Sequence, residues 1–127
     1  KSDITFLLNV LHHVGDDYGL SATVENARNQ ILNSLNNMAN NTNHLAFQLG
    51  YCWKGNRNLP LFERGTKAEM IDFIEKGTRG IWHIEAIGIA EKDAKFVKYQ
   101  LPNVDNLDRR DDWGEFLNRP IFILKRI

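Results

Sequence analysis

The sequence has one cysteine, Cys52, in 127 residues. No internal disulfide can form, and no cysteine-based zinc cluster is possible. It has no charge excess: 16 Lys and Arg balance 16 Asp and Glu. That excludes a domain held to nucleic acid mainly by bulk charge, and it equally excludes an acidic decoy. Only three prolines are present, too few for a proline-rich linker. No apolar run reaches the length of a membrane span. The longest near-apolar stretches, Ile4–Leu11 and Ile81–Ala90, are both interrupted by polar side chains. No secretory signal opens the chain, so a cytoplasmic location and no membrane partner are expected. The first residue is Lys, not Met, which fits a domain cut from a longer chain, a processed product or a matter of numbering alone.

What is present is ordinary globular composition, 43% apolar and 25% charged. That is enough to bury a core within a single domain spanning residues 1–127. Ile4, Leu7, Leu8, Leu11 and Val14 recur at helical spacing, with Ser2 or Asp3 as cap, and predict a first helix ended by Gly15. Val24, Ala27, Ile31, Leu35 and Met38 form the stripe of a second helix from about Thr23 to Ala39. The run 40–43 should break it. The period then changes to two: Leu45, Phe47, Leu49, Tyr51 and Trp53 predict a strand with one buried face. A third helix starts at Thr66-Lys67-Ala68-Glu69, a capping-box pattern in which the Glu is expected to reach the Thr amide. Lys76 and Gly77 suit its end.

Ile81–Ala90, apolar on both faces, predicts a central strand. Lys95–Leu101 follows it after a short turn, which makes the pair antiparallel. A helical turn around Trp113, Phe116 and Leu117 precedes a final strand from Pro120 to Arg126. The expected architecture is α+β: N-terminal helices packed on a mainly antiparallel sheet of about four strands.

His83 and Glu85 carry the most chemical information. Two apart on one strand, they share a face. An imidazole beside a carboxylate can move protons in metal-independent RNA cleavage, where one group takes the 2′-hydroxyl proton and another protonates the leaving oxygen. A cation must then balance the phosphorane charge. Lys98, Arg119, Lys125 and Arg126 lie on strands or strand ends able to neighbour this one. An inert, hydrogen-bonded ion pair is the competing reading of His83 and Glu85.

Trp82-His83-Ile84-Glu85-Ala86 on a strand, followed by a hairpin and a terminal strand, resembles the layout of small microbial ribonucleases. Those enzymes add a second catalytic histidine late in the chain. Here no histidine follows His83, so no family is assigned. Phe62-Glu63-Arg64-Gly65-Thr66 resembles the Arg-Gly strand end that opens ADP-ribosyltransferase domains. No Ser-Thr-Ser strand or Glu-x-Glu turn follows it, and it reads as a loop feeding the capped helix.

Lys54, Arg57 and Arg64 mix with Tyr51 and Trp53 in a pattern able to stack on bases and hold phosphates. The first fifty residues carry two basic and four acidic side chains, the rest fourteen and twelve, a mild tilt. Arg109-Arg110-Asp111-Asp112 reads as a self-paired surface loop. His12 and His13, adjacent on the expected helix, diverge too far to chelate one ion. His44 reads as a surface residue, and Cys52 has no evident base partner. No metal and no cofactor are expected.

Three readings stand side by side: a small metal-independent endoribonuclease of effector or toxin type, a non-catalytic module that binds RNA bases or a protein partner through its sheet face, or a purely structural domain with neither a pocket nor an exposed apolar patch.

Overall fold

The structure is a computed structural model that describes residues 2–7, 24–51, 61–114 and 116–127. Strand β1 (Ser2–Leu7) is followed by helix α1 (Val24–Asn37) and strand β2 (Thr42–Gln48). Helix α2 (Lys67–Gly77) leads into strands β3 (Trp82–Lys92), β4 (Val97–Gln100) and β5 (Ile121–Arg126). Short 3-10 turns occupy Met38–Asn40, Asp111–Trp113 and Phe116–Asn118.

The five strands form one sheet in the order β1-β2-β5-β3-β4. β1 runs parallel to β2. β5 lies antiparallel to both β2 and β3, and β4 is antiparallel to β3. Thus β1, β2 and β3 point one way, each reached from the last through a helix-containing crossover, as parallel strands require. β5, last of the five in the chain, is inserted between β2 and β3 in the opposite sense.

The α+β class with a mostly antiparallel sheet matches expectation, but two details are corrected. The helices are not N-terminal; they lie mid-chain, between β1 and β2 and between β2 and β3. The sheet has five strands, not four. The fifth is β1, where the sequence pattern predicts the first turns of a helix. Residues 8–14 of that predicted helix, with His12 and His13, lie outside the described residues. The reason is physical. Ile4-Thr5-Phe6 is rich in β-branched and aromatic side chains, and four apolar positions in a short window fit either period. Pairing with β2 then decides.

Both helices cover the same face of the sheet. Ala27, Ile31 and Leu35 of α1 and Met70 and Ile74 of α2 join Leu45, Phe47, Trp82, Phe122 and Leu124 in one buried cluster. Phe47 and Phe122, opposite one another in register, stack at 4.9 Å between ring centres. The Trp82 indole donates to the Leu35 carbonyl at 2.9 Å, tying β3 to the end of α1. The two helices touch where Gly77 meets Leu32: a Cβ on Gly77 would lie 2.3 Å from a Leu32 methyl.

β2 was expected to bury one face, yet Leu45, Ala46, Phe47 and Gln48 are all buried. Strands flank β2 on both sides, and the small Ala46 sits in register between Phe6 and Ile123. The cap of α2 also differs in detail. Thr66 Oγ1 accepts from the Glu69 amide at 3.1 Å as the capping-box pattern predicts. The Glu69 carboxylate, however, accepts from the amides of Gly65 and Arg64 at 2.8 and 3.0 Å rather than from Thr66. No described helix is long and apolar enough to cross a membrane.

Candidate functional site: the open face of the sheet

With both helices on one side, the other face of the sheet is where strand side chains can meet a ligand. Alternation assigns the residues. Leu45 and Leu124 face the helices; His44 and Lys125, one step away, face outward and are directly opposite each other in register. Lys125 is also opposite His83 on β3. Three strands therefore place His44, Lys125 and His83 in one row across the open face, with the lysine in the middle. Strands lie about 4.8 Å apart, so the two imidazole-bearing backbones are about 9.6 Å from each other.

A β-bulge supplies the fourth group. Ile84 is opposite Leu124 and Ala86 is opposite Ile123, which leaves Glu85 as the extra residue. A bulge of this kind turns two consecutive side chains to the same side. Ile84 and Ile87 pack on the core. The Glu85 carboxylate reaches over the open face to His44, with Oε2 3.9 Å from Nε2. The two side chains are 39% and 36% exposed, wet enough to meet a substrate and sheltered enough to hold their geometry.

β1 orients the imidazole. His44 Nδ1 lies 3.2 Å from the main-chain carbonyl of Asp3. A carbonyl only accepts, so the proton of this contact sits on Nδ1. Nε2 is then the nitrogen free to exchange protons, and it is the one facing Glu85. Lys125 and His83 are exposed, and neither makes an ion pair or side-chain hydrogen bond with another described residue.

The residues singled out from sequence are divided by the fold. His83 and Glu85 do share a face. Lys98 is opposite Glu91 on the hairpin formed by β3 and β4, eight residues or about 26 Å of strand from His83. Arg126 is opposite Trp82, on the helix-facing side, and its guanidinium donates to the Ala39 carbonyl at 3.0 Å. Arg119 precedes β5 and is six residues from Lys125 in the chain. Arg64 is exposed in the loop before α2, where its carbonyl accepts from Arg109. Lys54 and Arg57, like Cys52 and Trp53, lie outside the described residues.

The sequence marks His44 as a surface residue and not as a site residue. Its period-two phase, shared with Ala46 and Gln48 and opposite to Leu45 and Phe47, marks it as pointing away from the core. What it meets there depends on β5 pairing with β2, which local pattern does not encode.

One titratable group with a displaced pKa sits elsewhere. The fully buried Lys67 side chain donates to the Asp108 carbonyl at 2.8 Å. Burial pulls its ammonium below the ordinary lysine range, the Arg110 charge adds to this, and Asp108 opposes both. Lys67 also lies 5.5 Å from the Trp113 ring, which Arg110 covers at 4.4 Å. This cluster pins the 3-10 turn at Asp111–Trp113 to the start of α2. As the sequence predicts, Arg109 pairs with Asp111 and Arg110 with Asp112.

Among the described residues, no three His, Cys, Asp or Glu side chains are grouped as a metal ion would need. No family model, characterised protein or solved structure matches the chain. The functional reading therefore rests on this geometry.

Proposed function

We propose that the domain cleaves RNA by metal-independent transesterification on the open face of its sheet. His44 Nε2 takes the proton of the 2′-hydroxyl, and the 2′-oxygen attacks the adjacent phosphorus. Glu85 balances the imidazolium that forms on His44. The Lys125 ammonium balances the charge added to the non-bridging oxygens. His83, across the lysine from His44, gives a proton to the departing 5′-oxygen, leaving a 2′,3′-cyclic phosphate and a free 5′-hydroxyl. The base and the acid must approach the phosphate from opposite sides. The observation that carries this reading is the row His44–Lys125–His83, a cation between two imidazoles, with a carboxylate at one of them.

The test is incubation of the purified domain with a uridine-rich oligoribonucleotide in the presence of chelator, beside His44→Ala and Lys125→Met variants. Cyclic-phosphate product from the wild-type protein, reduced roughly 10²- to 10⁴-fold by His44→Ala, is expected. Equal product from all three proteins, or none from any, refutes it.

A second reading, a recognition module without turnover, is favoured by the apolar side chains exposed around the sheet: Phe6, opposite Ala46, is 64% exposed, and Leu101, at the end of β4, is 70% exposed. RNA or protein binding that survives His44→Ala, with no cyclic product at any enzyme concentration, decides for it.

A further inference from the structure

The outer edge of β3 is paired along only part of its length. β4 joins it from Ile89 onward, and no other described strand lies on that side. Continuing that register would put Leu101 opposite Gly88 and Pro102 opposite Ile87. Proline has no amide to give a ladder, and Asn106 holds the departing chain by donating to the Leu101 carbonyl at 3.0 Å. Residues 82–87, about 20 Å of strand, are left as an edge in line with β4.

Phase shows which backbone groups this edge offers. The Ile127 amide donates to the Ile81 carbonyl at 3.0 Å, so Ile81 and His83 bond towards β5, and Trp82 and Ile84 face the other way. The Trp82 amide agrees, since it donates to the Thr78 carbonyl outside the sheet at 3.0 Å. The Trp82 carbonyl and both backbone groups of Ile84 therefore point out from the edge, where an added strand would meet them.

A hollow lies on each side of this edge. On the helix side, about 420 Å³ is walled by Trp82, Ile84 and Ile87. On the open side, about 380 Å³ is bounded by Ala86, Gly88, Tyr99 and Leu101. Ile87 lines both. Consecutive side chains of an added strand turn to opposite faces, one towards each hollow. The charge near Trp82 is basic on balance. Arg79 and His83 are exposed, and neither forms an ion pair with a described residue, while Glu75 alone among the described residues lining the helix-side hollow is acidic.

We infer that the free edge of β3 docks an extended peptide segment of a partner protein. The segment adds antiparallel to β3 in line with β4, places apolar side chains in the two hollows and carries carboxylates at its C-terminal end, beside Trp82. Main-chain bonding selects a polypeptide over a nucleic acid, and the two hollows select apolar side chains at successive positions. Arg79 and His83 select the acidic end. The docking edge needs no turnover on the open face and stands apart from the RNA-cleaving reading.

The probe is the peptide acetyl-Ser-Val-Val-Val-Thr-Val-Asp-Asp-amide, titrated into the ¹⁵N-labelled 127-residue chain. Amide exchange at Ile84 should slow on binding, and exchange at Trp82, already bonded to Thr78, should change little. An added strand bonds through alternate amides only. N-methylation of one alternating set in the peptide should therefore abolish binding, and N-methylation of the other should leave it. Arg79→Glu, at an exposed position, should weaken the peptide about five-fold and favour the same peptide ending in two lysines. Unchanged exchange at Ile84, or equal behaviour of the two N-methylated forms, overturns the docking edge. Affinity indifferent to Arg79→Glu overturns the acidic partner. Protection of Ile84 that rises with protein concentration in the absence of peptide, together with a dimer in sedimentation, gives the edge to a second copy and overturns the proposal. Protection by a uridine-rich oligoribonucleotide and not by the peptide overturns it too. Every readout is binding, so a protein that cuts no RNA is judged by the same outcomes.

Discussion

His44 and Glu85 come from strands that are not neighbours, yet their side chains meet at 3.9 Å across β5. They act as a unit only if that contact matters to the chemistry. Glu85→Gln keeps the size and removes the charge that would balance an imidazolium. We expect it to lower cleavage about ten-fold or more, and to cost little further in a His44→Ala background, since coupled residues are non-additive. A double-mutant cycle on initial rates of cyclic-phosphate release checks this; additive losses would mean that the contact is incidental.

The Gly77–Leu32 crossing makes a prediction about stability alone. Gly77→Ala places a methyl 2.3 Å from a Leu32 methyl, and overpacking of this kind costs about 1–3 kcal/mol. It should do so even though alanine favours helix. Leu32→Ala in the same chain should recover part of the loss. Chemical denaturation of the three variants measures both effects. Stabilisation by Gly77→Ala would show that the helices can shift apart freely.

Lys67 tests how a buried charge is tolerated. Lys67→Met keeps the apolar stem and removes the ammonium, whereas Lys67→Ala also removes packing. We expect Lys67→Ala to lose about 2 kcal/mol and Lys67→Met distinctly less. The pH dependence has a definite sign. Because burial lowers the folded-state value below 10.5, the charged form is disfavoured in the fold. The native protein should therefore gain stability relative to Lys67→Met as pH rises from the lowered folded value towards 10.5. Parallel stability curves for the two proteins over that window would contradict the assignment.

In the turn between β3 and β4, Asp93 Oδ1 accepts from the amides of Lys95 and Phe96 at 2.8 and 3.0 Å. These bonds favour the carboxylate and hold it below the ordinary aspartate value of 3.8. The stabilisation is present above that value and disappears as pH falls through the folded midpoint. An NMR titration of the Asp93 carboxyl carbon should give a midpoint under 3.8, and amide exchange at Lys95 and Phe96 should rise, once corrected for intrinsic pH dependence, over the same acid range. A midpoint at or above 3.8 would remove the two bonds from the account.

Loss of the Thr66 hydroxyl should be felt at the start of α2. Thr66→Ala leaves the Glu69 amide without its acceptor, and a lost cap of this kind costs about 1 kcal/mol. Thr66→Ser should restore most of it. Urea melts of the three proteins compare them directly.

Local pattern in the sequence located α1, α2, β3, β4 and β5 because each has a period, a cap or a turn of its own. Thr66, Gly77 and Asp93 mark ends that short-range chemistry sets. β1 is not legible locally, because Ile4, Thr5 and Phe6 decide nothing alone; their strand state comes from pairing with β2, about forty residues on. The site was legible in the same measure. His83 and Glu85 lie on one strand and could be found by phase. His44 could not, since it reaches Glu85 only through β5, and the bulge that places Ala86 beside Glu85 is a property of the pairing. Arg126 had the right charge but the wrong phase: one residue from Lys125, it faces the helices.

The central place of β5 bears on the order of assembly. Strands β2 and β3 both need residues 121–126 to complete their hydrogen bonds, and those residues follow both strands in the chain. Until they leave the ribosome, the growing chain exposes two unfilled strand edges with a strand-wide slot between them. A peptide of sequence Ile121–Arg126 should enter that slot in a chain ending at residue 118. The row His44–Lys125–His83 would then exist only once the slot is filled, so the proposed ribonuclease would stay switched off until β5 is in place.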